Sequence, residues 1–375
     1  MWSVGFRPFY LCASVFAALS IALWSLEFAG WLPGHYMQAP FRHAHEMLFG
    51  YTLAVIAGFL LTAVRNWTGQ PTASGPALAA LVALWVAGRV LILTPFALAS
   101  LAVNAAFPLA LALAIAIPLA RAGNRRNYFF VALLVGVSVL EVTLHAAARD
   151  WIDWPVHASL QVGLDLVLFV IAVIAGRVVP MFTNNAIPGA GALRHPLVEK
   201  LALGGVLALV AADALGLEGA PLAVLALLVA LAHAVRWLGW RPWRTAKTPL
   251  VWILHLSYAW IPVHLVLRAL AVAGAVATPW ATHSLTLGVI GGMTIGMMTR
   301  TARGHTGAAL VAGRAEIAMY SLVHAAALVR VFGPLFAPRD YTATIVFSAL
   351  LWSSAFALYA IRYAPLLARA RVAGD

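Results

Sequence analysis

Apolar runs long enough to cross a bilayer follow one another along almost the whole chain, and this constrains the fold more than any motif does. A membrane-spanning helix needs about 20 mainly apolar residues, and Gly or Pro inside it is tolerated because neighbouring groups re-satisfy the backbone. Runs of this kind occupy 6–30, 43–64, 76–94, 97–120, 127–148, 157–180, 197–216, 220–240, 249–272, 281–299, 314–335 and 341–365. Twelve spans leave no stretch for a soluble domain, so residues 1–375 read as a single transmembrane domain. Composition agrees, with 63% of residues hydrophobic and 10% charged, against roughly 25% charge in a soluble domain. The expected fold class is an all-α polytopic membrane protein. The first run is too long and too lightly basic at its start to be a cleaved signal peptide, and is expected to remain as a span.

The net charge of +12 would suit nucleic acid if the basic residues formed a patch, but they punctuate the apolar runs. No nucleic-acid partner is expected, and the surroundings are membrane lipid. Eighteen Lys and Arg residues fall beside the N-terminus, the even-numbered loops and the C-terminus, from Arg7 and Arg65 through Arg177, Arg194, Arg236, Arg300, Arg303 and Arg314 to Arg371. The other side holds six: Arg42, Arg89, Arg149, Arg268, Arg330 and Arg339. This bias puts both termini in the cytoplasm. The lone Cys12 excludes an internal disulfide, a thiolate-ligated metal and a C-x-x-C-H haem attachment.

A shared pattern runs from His45 and from His283: Gly50 and Gly288, Arg65 and Arg303, Thr68-Gly69 and Thr306-Gly307, all at an offset of 238. Ala172-Val173-Ile174-Ala175-Gly176 repeats Ala54-Val55-Ile56-Ala57-Gly58 at an offset of 118. Three repeats of four helices, 1–122, 123–243 and 244–375, would follow.

Ionisable side chains within a bilayer are costly and are functional by default. On this topology His43, His45 and Glu46 open the second span on the extracytoplasmic side and His283 opens the tenth there. Glu141 and His145 close the fifth span, His157 opens the sixth, and His264 lies in the outer half of the ninth. His233, His255 and His305 belong to the inner half, His324 lies near mid-depth, and His35 and His195 read as solvated loop residues. Imidazole suits copper, iron and zinc. In His43-Ala44-His45-Glu46, positions two apart on a regular helix point about 200° apart. Either that turn is unwound or the two histidines serve different centres, such as a haem iron and a second metal. Asp165 and Glu141 are candidates for proton relay or for neutralising an arginine. Arg300 and Arg303 are candidates for holding haem propionates or lipid phosphate, or for simple anchoring.

At this point the residues resemble a known family. His43-Ala44-His45-Glu46-Met47-Leu48-Phe49-Gly50, Gly58-Phe59-Leu60-Leu61-Thr62-Ala63-Val64 and Asn66-Trp67-Thr68-Gly69 are similar to the signature of the NnrS proteins. So are Phe6-Arg7-Pro8-Phe9, Gly176-Arg177-Val178-Val179-Pro180, Pro249-Leu250-Val251-Trp252-Ile253-Leu254-His255, and the run from His283 through Gly288 to Gly304-His305-Thr306-Gly307. The resemblance implies a multi-pass protein of the bacterial inner membrane containing haem and copper, tied to nitric oxide metabolism and nitrosative stress. Matched by motif, His43, His45, Glu46, His255, His283 and His305 are implied as site residues, whereas His264 stands where the family pattern usually has a small residue. Three groups of four spans with histidines on spans 2 and 10 also resemble the haem–copper oxidase arrangement, a likeness of fold alone.

The expectation is a nitric oxide reductase-type oxidoreductase with b-type haem beside copper, or beside iron or zinc, fed by an unidentified electron donor. His43, His45, His145 and His283 would bind metal, with Glu46 carrying protons or supplying an oxygen ligand. His45, His283, His255, His305, Arg300 and Arg303 would hold the haem. A non-catalytic haem or copper protein that binds or senses nitric oxide, and a transporter, are the alternatives. The topology is tested by fusions at the C-terminus: a fluorescent protein should light up, and a reporter enzyme that folds only outside the cytoplasm should stay inactive. The opposite result would invert every depth given above.

Overall fold

The computed structural model describes residues 1–31 and 39–369; His35 and Arg371 lie outside them. Its helices are α1 (Phe6–Phe28), α2 (Ala39–His45), α3 (Leu53–Thr68), α4 (Gly75–Leu91), α5 (Ala97–Arg121), α6 (Phe129–Ala147) and α7 (Val156–Ala186). They continue as α8 (Pro196–Ala214), α9 (Ala220–Gly239), α10 (Pro249–Val272), α11 (Thr278–His283), α12 (Gly292–Gly304), α13 (Arg314–Phe336) and α14 (Tyr341–Ala368). No strand occurs among the described residues. Two stretches of π-helix, Glu46–Thr52 and Ser284–Gly291, join α2 to α3 and α11 to α12. They begin at an offset of 238 residues, the same as that between His45 and His283.

Among the described residues, nine helices are long and apolar enough to cross a membrane, with α2 and α3 counted as one rod, Pro40–Thr68. The chain is therefore an all-α, multi-pass membrane protein. The expected runs at 76–94, 197–216 and 281–299 fall outside this set for separate reasons. α4 is only 17 residues long, α8 carries Glu199, Lys200 and Asp213, and the rod through α11 and α12 is diluted by Gly and Thr. Large apolar side chains such as Leu19, Leu23, Leu98, Leu113, Leu228, Leu231 and Leu350 face outward. Polar residues such as Asn104, Glu141, Asp165 and Arg236 are buried. This is the distribution that lipid demands, because an unpartnered polar group facing hydrocarbon has no water to bond.

The helices pack as two compact units. The first takes in the described parts of Met1–Gly163, Gly304–Gly307 and the stretch from Ala360; the second takes in Leu164–Arg303 and Ala308–Tyr359. In the first, α1 lies along α3, and α5 packs against both α4 and α6. Phe6, Phe9, Tyr10, Leu60 and Leu61 fill its interior. Arg7 there donates to the carbonyls of Leu367, at 3.3 Å, and Arg369, which ties the end of α14 to the start of α1.

In the second unit α9 packs against α8 and α10, and the second π stretch lies against α10 and α13. Trp240, Tyr258, Tyr320 and Phe356 form its largest buried side chains. Arg236 of α9 fastens three helices. It donates to both oxygens of Glu199 at 2.8 and 2.7 Å, and to the Ala172 carbonyl and the Tyr258 hydroxyl at 2.9 Å each. Only a residue without a Cβ leaves room for that guanidinium at position 176. A methyl group there would collide with Arg236 Nη2 and stand 2.8 Å from its Cζ and 3.0 Å from Glu199 Oε2. Four hydrogen bonds prevent the arginine from swinging aside. Gly176→Ala should therefore cost about 1–3 kcal/mol, read as a lower thermal midpoint of the purified protein in detergent. A variant as stable as the parent would show that the arginine reseats freely.

Candidate metal centre

The wide turn after His45 builds the centre. α2 is regular as far as His45, and the π stretch begins at Glu46. Isolated π turns are uncommon and often lie at functional sites. The carbonyls that they displace need new donors, and here the Thr52 hydroxyl donates to the Met47 carbonyl at 2.8 Å. On the neighbouring α6, Glu141 and His145 are one turn apart and share a face. The three side chains converge. His45 Nε2 lies 2.8 Å from Glu141 Oε2 and 3.3 Å from His145 Nε2, and His145 Nε2 lies 3.7 Å from Glu141 Oε2. All three residues are buried.

These separations match a metal site. Ligand atoms about 2.0–2.1 Å from a tetrahedral ion lie roughly 3.3 Å apart, and the observed values bracket that. Two imidazoles and a carboxylate are a donor set for iron, copper or zinc, with a fourth position left for an exogenous ligand. Among the described residues, His45, Glu141 and His145 form the group of His, Cys, Asp or Glu side chains spaced to share one ion.

The supporting residues are as specific as the ligands. His45 Nδ1 is 2.8 Å from Glu46 Oε1, so a carboxylate fixes the ring nitrogen that faces away from the cluster. Arg89 Nη1 in turn donates to Glu46 Oε1 at 2.5 Å, and Nη2 donates to the Asn104 side-chain oxygen. Asn104 is itself tethered to the Ser100 carbonyl at 2.9 Å. Gly50, inside the π stretch, makes the approach of Arg89 possible. A Cβ there would stand 2.5 Å from Arg89 Nη1 and 2.9 Å from Phe16 Cε1. Trp85 donates its indole N–H to the Gly50 carbonyl at 2.9 Å.

The sequence-expected residues divide accordingly. His45 and His145 meet; His43 stacks on Trp24 with ring centroids 4.1 Å apart, so the two histidines of the H-x-H have separate surroundings. The metal-sized group contains neither His43 nor His283. His283 donates its Nδ1–H to the Pro279 carbonyl at 2.7 Å. His305 lies against the Phe6 ring, 5.7 Å between centroids. Arg300 sits 3.7 Å over the Phe182 ring. Arg303 donates to the Ala309 carbonyl at 2.7 Å and to Glu316 at 3.3 Å. Glu141 enters as a candidate ligand, whereas sequence reading gave it proton relay or charge neutralisation. Arg89 enters as the support of Glu46, where sequence reading made it an anchor. Asp165 pairs with Arg268, as one of its two readings had it.

His255 has a different kind of fitness. The Thr183 hydroxyl gives its one proton to the Val179 carbonyl at 2.8 Å, so at 2.8 Å from His255 Nε2 it accepts that ring's N–H. Nδ1 of His255 is then a bare lone pair, buried and without a partner. An imidazole fixed on one side and open on the other has the donor chemistry that a haem iron requires.

Fold and site together define a multi-pass membrane protein with a buried histidine–carboxylate centre suited to a transition metal. The NnrS family model, described as NnrS protein, matches residues 1–371, and the chain belongs to that family. Membership relates it to nitric oxide and to metal and haem binding. No curated protein matches the chain.

The ligand assignment has a direct test by metal analysis of purified protein. His45→Ala and His145→Ala should lose the metal, and His43→Ala should keep it. Glu46→Gln, whose amide oxygen can still accept from His45, should keep it as well. Retention of full metal content in both ligand variants would refute the assignment.

Proposed function

We propose that this protein binds nitric oxide at a metal held by His45, Glu141 and His145 and reduces it to nitrous oxide. The observation that carries the reading is the convergence of three side chains that could share one ion, backed by an ion pair, Glu46 and Arg89, at hydrogen-bond distance. Two molecules of nitric oxide take up two electrons and two protons to give nitrous oxide and water. An iron or copper ion in the centre, together with a b-type haem, would supply the electrons and the open coordination position. Haem is b-type in this reading because the single cysteine permits no covalent attachment.

The chain's own residues would supply the rest. His45 presents Nε2 to the metal while Glu46 holds its Nδ1–H and keeps the ring from turning. Glu46 is the candidate proton carrier, since its carboxylate ends one bond from a metal ligand and its other contact, Arg89, keeps the charge balanced. For haem, His255 is the best-prepared donor. His283, with Nδ1 already fixed by a backbone carbonyl, is a second candidate. Arg300, Arg303 and His305 would assist at its periphery.

The electron donor is left open, and the setting is the bacterial inner membrane with both termini cytoplasmic. Twelve spans in three repeats complete the proposal. Matching π stretches after His45 and His283 support the equivalence of those two rods.

The experiment adds nitric oxide to reduced, metal-loaded protein and follows both the absorption spectrum and nitrous oxide. Wild type should bind and turn over. Glu46→Gln should bind with the same spectrum and lose turnover by about 10²–10⁴-fold, the usual weight of a positioned proton carrier. Spectral binding with no nitrous oxide from wild type would leave a binding or sensing protein in its place.

A further inference from the structure

The second unit holds a charged group that the proposed reaction does not use. Arg268 of α10 is buried, and its guanidinium faces two carboxylates. Nη1 donates to both oxygens of Asp165 at 3.1 Å, and Nη2 donates to both oxygens of Asp213 at 2.5 Å. Asp165 comes from α7 and is wholly buried; Asp213 comes from the last turn of α8.

Charge balance sets the protonation of the group. Two carboxylates against one guanidinium would leave a net negative charge buried in a lipid-surrounded interior, and a single proton brings the group to neutrality.

A further ionisable side chain, His264, stands on the same helix as Arg268. His264 lies one turn before Arg268 on the same face of α10. It donates Nδ1–H to the Ala281 carbonyl at 2.8 Å, which leaves Nε2 as a bare acceptor, buried and without a partner. The titratable and charged groups of this region include Asp165 from α7, Asp213 from α8, and His264 and Arg268 from α10.

We propose that Asp165, Asp213 and Arg268 form a proton-binding site that is independent of the His45 centre. One proton is held by the carboxyl pair. On release, one O–H bond breaks, the proton passes to an acceptor base, and the resulting pair of carboxylates is held by Arg268. On uptake the same bond forms again. No oxidant or reductant is involved.

Infrared difference spectroscopy of the full-length protein in membranes, labelled with ¹³C-aspartate, reads this directly. Wild type at neutral pH should show the C=O stretch of a protonated aspartic acid, sensitive to the label and to deuterium oxide, which fades when the medium is made alkaline. Asp165→Asn and Asp213→Asn imitate the protonated acid in shape and charge. Each should insert with unchanged helix and metal content and should abolish the band. Absence of a protonated aspartate from wild type at neutral pH would overturn the proposal, as would persistence of the band in both variants. Should one variant fail to insert, the other variant and the alkaline titration of wild type decide between the same two outcomes.

Discussion

Charge inside lipid must be neutralised where it stands, and the sites in this protein are arrangements that meet that requirement. Arg89 answers Glu46, Arg236 answers Glu199, Arg42 answers Glu27 and Arg268 answers two aspartates. Each pair is costly to assemble and more costly to break, because losing one partner strands the other in a medium of low dielectric. The pairs also fasten separate helices at defined heights. Arg236 joins α9 to α7, α8 and α10, and Arg89 joins α4 to the first π stretch and α5. Positions that must approach these guanidiniums closely have no side chain to spare, which accounts for Gly50 and Gly176.

This pairing changes how the arginines are read. Arg42, Arg89 and Arg268 make up half of the six basic residues on the minority side, and all three are buried in ion pairs with carboxylates. They hold helices together, so they weigh little as anchors at the membrane surface. Arg236 leaves the majority side on the same ground. The excess of basic residues on one side of the expected topology survives this correction.

Helix positions were legible because lipid enforces long apolar runs whatever the details. The runs at 76–94, 197–216 and 281–299 are helical too, as α4, α8 and the rod through α11 and α12, but they are too short, too charged or too diluted by Gly and Thr to count as spans by length and composition. Of the centre, His45 and His145 were legible as expensive residues at one depth, whereas the sequence left open whether His43 diverges from His45, and both were expected to bind metal. Glu141 was legible as a buried acid but not as a ligand, since that depends on which face of α6 turns toward His45. Arg89 was hidden because an arginine near a span end reads the same whether it anchors or pairs. The π stretches left no trace in composition: widening one turn changes the direction of every side chain after it without changing a residue.

The same constraint limits the chemistry of the His45 centre. An electron added to a buried group raises its negative charge, and in lipid that charge must be met nearby. Glu46 is placed to meet it, touching a ligand on one side and Arg89 on the other. A proton taken up by Glu46 would free Arg89 to balance the added electron; a proton passed onward would restore the original ion pair. In the proposed reaction, electron and proton would arrive together, with Arg89 carrying the difference. A neutral diatomic ligand suits such a site because binding it leaves the charge unchanged, so the balance is disturbed only when electrons flow. An anion would instead compete with Glu46 for Arg89 and for the metal.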